Sequence, residues 1–149
     1  MSIIVNENVS VVIFNNVPLN KTIMEDTLTA VAEADINIDM ISMTAPFSER
    51  FGFSFTVHDD DIVHLITVIN SLKKKLGITP MIGTGNRKIT IKTSDMETQA
   101  GFAAKVYQAL NRIDAMILLI TTSVDEISVL IRESDADAAE AEFRRIFND

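Results

Sequence analysis

The chain has 149 residues, 47% of them hydrophobic and 23% charged, a composition typical of an ordered globular protein with a sizeable core. Its net charge of -8 at pH 7 repels nucleic-acid phosphates and anionic lipid surfaces. It has no cysteine, which excludes disulfides and cysteine zinc sites, and we find neither an export signal nor a membrane-spanning apolar run. We therefore expect a cytoplasmic protein that binds neither nucleic acid nor membrane.

The first half of the chain predicts one strand, a helix, two strands and a second helix. Alternating Val11 and Ile13 indicate the first strand, and apolar residues at helical spacing indicate a helix near 22–34. Strands are predicted near 36–44 and 51–57. The second helix begins behind Asp59 or Asp60, ends in three lysines before Gly77, and is followed by a last strand at 78–82.

The second half repeats this order. Ile89 and Ile91 predict a strand, residues 100–113 a helix, and residues 115–122 and 126–131 two strands. A final helix begins behind Ser134 and Asp137.

The two halves also align by sequence. Residues 29–44 match residues 108–123 at an offset of 79, with Ala30 on Ala109 and Asp35 on Asp114. The fold class is therefore α+β, with two ferredoxin-like βαββαβ units in tandem. The second copy lacks its last strand, so SIIV at 2–5 is expected to complete it and to interlock the copies. We predict a first unit at 1–83, which includes the N-terminal strand, and a second at 84–149, with the boundary in GTGNR at 83–87.

The segment RFGFSFTV at 50–57 is similar to the aromatic strand of RNA-recognition motifs, in which Phe53 and Phe55 would stack on bases. The repeat places Ile127 and Val129 at the equivalent positions, and aliphatic side chains cannot form such a platform. We therefore interpret both phenylalanines as core residues and keep RNA binding only as an alternative.

No motif in the sequence indicates catalysis. His58 and His64 lack metal-ligand spacing, and GTG at 83–85 lacks the glycine and lysine of a phosphate loop, so it is interpreted as a linker. Asp59–Asp61 suits a helix start. We find no nucleophile with a base and an orienting group, and we expect no enzymatic activity, no metal and no cofactor.

Asn37 and Asp39 are polar residues in an apolar segment, two positions apart and therefore on one face of the predicted strand. They could cap the preceding helix or face water. Alternatively, they accept hydrogen bonds from an ammonium group, while amides in the loop 15–23, expected at the same end of the sheet, hold a carboxylate. Together these two halves describe an α-amino acid.

Four segments in order resemble the tandem ACT-domain regulatory region of aspartokinases over nearly the whole chain. They are NVP at 16–18, AEADINIDMIS at 32–42, AGFAAKVYQAL at 100–110 and ITTSVDEISVLI at 120–131. The resemblance implies a noncatalytic, allosteric module that forms a homodimer and binds an amino-acid end product, typically lysine, threonine or methionine, between ACT units. The partner it implies is an amino-acid biosynthetic enzyme.

The resemblance also implies the ligand-contacting positions. In the first copy these are Lys21, Thr22, Ile23, Asn37, Ile38, Asp39 and Met40, and in the second Ala100, Gly101, Thr122 and Ser123. The family's Pro-Gly before the first helix is Lys21-Thr22 here, and the second copy has Met116 and Leu118 where the first has Asn37 and Asp39. Each copy thus keeps half of a site.

The kinase domain of the family has no room before the first unit, so we expect a chain without catalytic activity. It could be a free-standing sensor, a separately made regulatory subunit or an excised fragment. A ligand-free dimerisation scaffold is the alternative from another class.

Overall fold

The computed structural model describes residues 1–20 and 22–147. In chain order the elements are β1 (Ser2–Pro18), α1 (Ile23–Glu33), β2 (Ile41–Met43), β3 (Arg50–His58), α2 (Ile62–Leu76), β4 (Met81–Lys92), α3 (Phe102–Arg112), β5 (Ile117–Thr122), β6 (Glu126–Arg132) and α4 (Glu133–Phe147). Among the described residues, no helix is both long and apolar enough to cross a bilayer. The predicted order of strands and helices is confirmed in both halves.

The chain forms two compact units. The first unit is Asn8–Thr84, and the second joins Met1–Glu7 to the chain from Gly85 onward. Strand order is β2-β3-β1-β4 in the first unit and β1-β4-β6-β5 in the second. Ile3 and Val5 pack against the core of the second unit, so the N-terminal strand completes that unit as predicted.

The N-terminal strand is also tied by charge to the second unit. The Arg87 guanidinium, on β4, contacts Glu7 of β1 at 3.6 Å and hydrogen-bonds Glu133 and Asp137 at the start of α4. The hydrogen bond with Asp137 is the main cause that raises the pKa of Arg87. This side chain is only 15% exposed, so its charge is held in place by three carboxylates.

β1 and β4 each belong partly to the first unit and partly to the second, and each passes from one to the other at a residue with a left-handed backbone. β1 changes at Asn8, with φ 58°, and β4 changes at Gly85, with φ 69°. The last strand of the first copy and the first strand of the second are therefore one strand, β4, and GTGNR at 83–87 lies inside it rather than in a linker loop. Asn and Gly tolerate this conformation better than other residues, so the chain can pass from one unit to the other within a strand.

The residues of β1 that form the core of the first unit are not the alternating pair from which the strand was predicted. The core contains Val12 and Phe14, which pair with Phe55 and Phe53 on β3, rather than Ile13. In the second unit Ile89 and Ile91, which predicted the strand, do belong to the core. Because side chains alternate along a strand, Val12 and Phe14 lie on the opposite face from Val11 and Ile13. An unbroken run of apolar residues at 11–14 does not distinguish the two faces.

The C-terminal ends of α1 and α3, the first helix of each copy, show the repeat in structure. After α1, Asp35 takes φ 57° and donates its amide to Ala32, while Ile36 donates to Val31. After α3, Asp114 takes φ 55° and donates to Asn111, while Ala115 donates to Leu110. Both are Schellman motifs, in which a left-handed residue closes the last helical turn. The aligned aspartates Asp35 and Asp114 thus have one structural role.

The second helices begin differently from the prediction. A single 3-10 turn, Asp59–Asp61, precedes α2, and the His58 side chain caps this turn by accepting from the Asp60 amide. Ser134 lies within the first turn of α4 instead of before it. At the other end of α2, Gly77 takes φ 66° and its amide donates to Lys73, as predicted.

Candidate functional site

Residues 36–40 lead from α1 to β2 without forming a regular strand, although a strand was predicted from residue 36. The amide of Asp39 donates to the Thr56 carbonyl at 3.1 Å, and the Thr56 amide donates to the Met40 carbonyl at 3.0 Å. The Met40 amide donates to the Thr56 hydroxyl at 2.9 Å, so a side chain takes the place of a backbone acceptor. This explains why β2 begins only at Ile41.

Asn37 and Asp39 both face solvent. Ile36 and Met40 are buried and Ile38 is half-buried, so the predicted alternation of sides persists without regular strand pairing. Ile38 packs against the core of the first unit. The polar pair therefore points outward from an anchored segment, and the amide of Met40 is already occupied by Thr56.

The loop before α1 satisfies its own amides. Asn20 accepts the Thr22 amide at 3.0 Å through its side chain and the Ile23 amide at 3.2 Å through its carbonyl. The Ile23 side chain is buried in the core. Lys21, the remaining predicted residue of this loop, lies outside the described residues. Since Glu25 and Asp26 occupy the first turn of α1, this helix start offers a carboxylate little attraction.

The predicted residues of the first unit lie at opposite ends of its sheet, which corrects the expectation of one shared end. Thr56, the partner of Asp39, pairs with Val11, whereas Val17, next to the loop, pairs with Phe51. Thr56 and Phe51 are five residues apart. At about 3.4 Å per residue, this separates the two halves by roughly 17 Å. The cause is the helix crossover, since β2 starts where α1 ends, far from where α1 begins.

The second unit has a more open helix start. Gly101 precedes α3 with φ 90°, no side chain caps the helix, and no acidic residue lies in its first turn. Ala100 and Gly101 are exposed. The first amides of a helix lack intrahelical acceptors and carry a partial positive charge, so this end can hold a carboxylate.

Thr122 and Ser123 lie at this same end of the second unit. Thr122 ends β5 and pairs with Ile127, and both Thr122 and Ser123 are exposed. The turn after them is joined to the loop before α3, because the Thr93 amide donates to the Asp125 carbonyl at 2.7 Å. The predicted residues of the second unit therefore gather at one end, unlike those of the first.

Two residues that position these groups were not singled out from the sequence. Asn20 was recognisable, because Asn is a preferred residue at helix starts. Thr56 gave only a weak signal, a polar residue within the apolar strand RFGFSFTVH.

Neither ring of the alternative RNA platform, Phe53 or Phe55, is exposed. Phe53 and Phe55 are 2% and 0% exposed, and Phe14 stacks on Phe53 with 4.4 Å between ring centroids. Rings enclosed in the core cannot stack on bases. The interpretation of Phe53 and Phe55 as core residues is confirmed.

Comparisons with known proteins relate part of the chain to a family and the whole chain to solved structures. The ACT-domain family matches residues 89–144. An aspartate kinase of Stutzerimonas stutzeri is 29% identical over 113 residues, which are 75% of this chain and 27% of that protein. The chain thus spans about a quarter of the length of the curated relatives it matches.

Among solved structures, the regulatory subunit of aspartate kinase from Thermus thermophilus superposes with a TM-score of 0.89 at 23% identity, covering 97% of this chain and 96% of that one. A structure of aspartokinase alpha and beta subunits gives a TM-score of 0.88 at 26% identity, covering 100% of this chain and 99% of the other. Residues 89–144 thus match the ACT-domain model, and the whole chain shares the fold of these two structures.

Proposed function

We propose that this chain is a noncatalytic regulatory protein that binds a free α-amino acid and transmits its presence to an amino-acid biosynthetic enzyme. The observation that carries the proposal is the outward-facing pair Asn37 and Asp39 on a segment anchored to Thr56. An anchored carboxylate and amide can receive a ligand ammonium group without first being ordered, which lowers the entropic cost of binding.

The ligand carboxylate needs a different element. In the first unit the Thr22 and Ile23 amides are occupied by Asn20. The start of α3, at Ala100 and Gly101, has neither a side-chain cap nor acidic neighbours in its first turn and is the better anion site.

The first unit of a single chain cannot supply both the group that binds the ammonium and the group that binds the carboxylate. Its loop and its Asp39 are roughly 17 Å apart, whereas the ammonium and carboxylate groups of an amino acid share one carbon atom. We therefore place the ligand between two copies of the chain in a homodimer, with Asp39 from one copy and the start of α3 from the other. A two-fold axis makes two such sites equivalent.

Such a site couples binding to association. A ligand that bridges two copies favours the arrangement in which both halves meet, and a partner enzyme that contacts the dimer can sense this shift. Support for an enzyme partner comes from the similar proteins, which are described as aspartate kinases and their regulatory subunits. Lysine, threonine and methionine are the first ligands to test.

The alternative of a ligand-free dimerisation scaffold is favoured by the occupied amides at Thr22 and Ile23. Thermal unfolding in the presence of each of the twenty amino acids, with Asp39→Ala as the comparison, separates the two. A ligand at 100 times its dissociation constant should stabilise the fold by about 2.7 kcal/mol. A rise with one or two amino acids that is lost in a folded Asp39→Ala variant supports the sensor. No rise with any amino acid supports the scaffold.

A further inference from the structure

The helices of the two units match position by position, which provides an internal comparison. α1 and α3 each have 11 residues, and α2 and α4 each have 15. Leu65 and Leu72 of α2 are buried at the same helix positions as Ala136 and Phe143 of α4. Equivalent surface positions can therefore be compared directly.

In the second unit an ion pair joins the two helices. Arg112, the last residue of α3, donates to Glu142 of α4 at 3.2 Å, and Arg145 also contacts Glu142 at 2.6 Å. The Glu142 side chain is only 13% exposed.

In the first unit the equivalent positions hold Glu33 and Ser71, which cannot form this pair. Both line a groove of about 480 Å³ between α1 and α2. Within the described part of the chain, no cation pairs with Glu33, whereas Asp26 at the other end of the groove pairs with Lys75 at 3.5 Å. The groove therefore has an unneutralised carboxylate where the second unit has an arginine.

Part of the groove lining is apolar. Ala30, Val68 and Leu72 line it, and Val63 continues the row of Thr67 and Ser71 along α2 at four-residue spacing, one turn beyond the groove. Val63 is 72% exposed. Its equivalent in α4, Ser134, is polar. Exposed apolar surface beside a carboxylate fits an amphipathic protein segment better than a small ion.

We propose that the groove between α1 and α2 docks a helical, arginine-bearing segment of a partner protein, whose guanidinium group binds Glu33 as Arg112 binds Glu142. Apolar side chains of that segment cover Val63 and Val68. A bidentate arginine–carboxylate contact sets its register. This docking surface does not depend on the amino-acid site, since neither Asn37 nor Asp39 lines the groove.

The test uses the full chain and a synthetic amphipathic helical peptide with leucine and arginine on one face, followed by fluorescence anisotropy at physiological salt. Physiological salt is needed because it screens the nonspecific attraction between a basic peptide and a chain of net charge -8. Three variants are compared. Glu33→Gln removes the carboxylate, Glu97→Gln removes an exposed carboxylate elsewhere, and the double variant Glu33→Arg/Ser71→Glu installs the ion pair of the second unit.

Glu33→Gln should weaken peptide binding about tenfold. The double variant should abolish binding while remaining folded by circular dichroism, and Glu97→Gln should bind as the wild type does. Equal weakening by Glu33→Gln and Glu97→Gln, or no binding to the wild type, would overturn the proposal. Sedimentation tests whether a second copy of the chain fills the groove instead. In that case the wild type forms a dimer and does not bind the peptide, and the double variant no longer forms the dimer.

Discussion

The backbone amide of Met40 donates to the side-chain hydroxyl of Thr56 at 2.9 Å, in a pair that is buried. The carbonyl and amide of Thr56 also bond residues 39 and 40, so Thr56 makes three hydrogen bonds to the segment that carries Asn37 and Asp39. The position of the proposed ligand groups therefore depends on a residue of the neighbouring strand.

Thr56→Val keeps the side-chain shape but removes the acceptor for the Met40 amide. A buried donor left without a partner costs about 1–3 kcal/mol, so we expect the free energy of unfolding to fall by that amount. Urea unfolding measures the change, with the exposed Thr79→Val as the control, expected to change stability by less than about 0.5 kcal/mol. Equal effects of the two variants would contradict the role given to Thr56.

Phe53→Ala should lower the free energy of unfolding by about 3–5 kcal/mol, because it leaves a cavity beside Phe14. Phe47 is 83% exposed and offers a matched control, since Phe47→Ala removes little buried side-chain surface. Chemical denaturation of both variants measures the difference. If Phe53→Ala were as stable as the wild type, the core assignment of the aromatic strand would be wrong.

Asp35→Gly and Asp114→Gly should each raise the free energy of unfolding by roughly 0.5–1 kcal/mol, because glycine adopts a left-handed backbone without steric cost. Asp35→Ala and Asp114→Ala should lower it. Asn70→Gly, in the exposed interior of α2, is the control for the intrinsic cost of glycine and should destabilise by about 1 kcal/mol. Thermal unfolding is the measurement, and opposite signs at the two aspartates would contradict the equivalence of the two helix ends.

Glu142→Gln should give a pH-dependent loss of stability. The hydrogen bond from Arg145, with help from Arg112, lowers the pKa of Glu142 from 4.5 to about 2 against the opposing effect of burial. A carboxyl group whose pKa is depressed by folding stabilises the protein above its unfolded pKa, and this stabilisation is lost as the pH falls through the folded pKa.

Urea unfolding at several pH values should thus show Glu142→Gln less stable than the wild type at neutral pH, with the difference shrinking between pH 4.5 and pH 2. Glu97→Gln, at an exposed glutamate, serves as the control. A difference that stays constant across this range would mean that Glu142 acts through packing rather than charge.

The sequence predicted the repeat, the order of elements and the completing N-terminal strand, because these depend on periodicity and on aligned residues such as Asp35 and Asp114. It did not predict which face of β1 lies against the core, since Val11 to Phe14 are all apolar. The separation of Asp39 from the loop before α1 follows from the helix crossover, because β2 starts where α1 ends. The prediction of a linker at 83–85 was wrong, because a glycine within a strand and a glycine in a loop look alike in sequence.

The proposed site between two copies of the chain can be tested by mixing subunits. Asp39→Ala removes the ammonium acceptor, and Ala100→Asp places a carboxylate beside the start of α3, where it competes with the ligand while favouring the helix. Neither homodimer should bind lysine, threonine or methionine in calorimetric titrations, whichever of these the wild type binds. Ala100→Asn is the neutral control and should retain binding.

The most direct measurement is the binding stoichiometry of a heterodimer purified through two different tags, one chain carrying Asp39→Ala and the other Ala100→Asp. One of its two sites then combines an intact Asp39 with an intact helix start, so we expect about half the wild-type number of sites. No binding by this heterodimer, in a protein whose wild type binds, would contradict a site shared between copies.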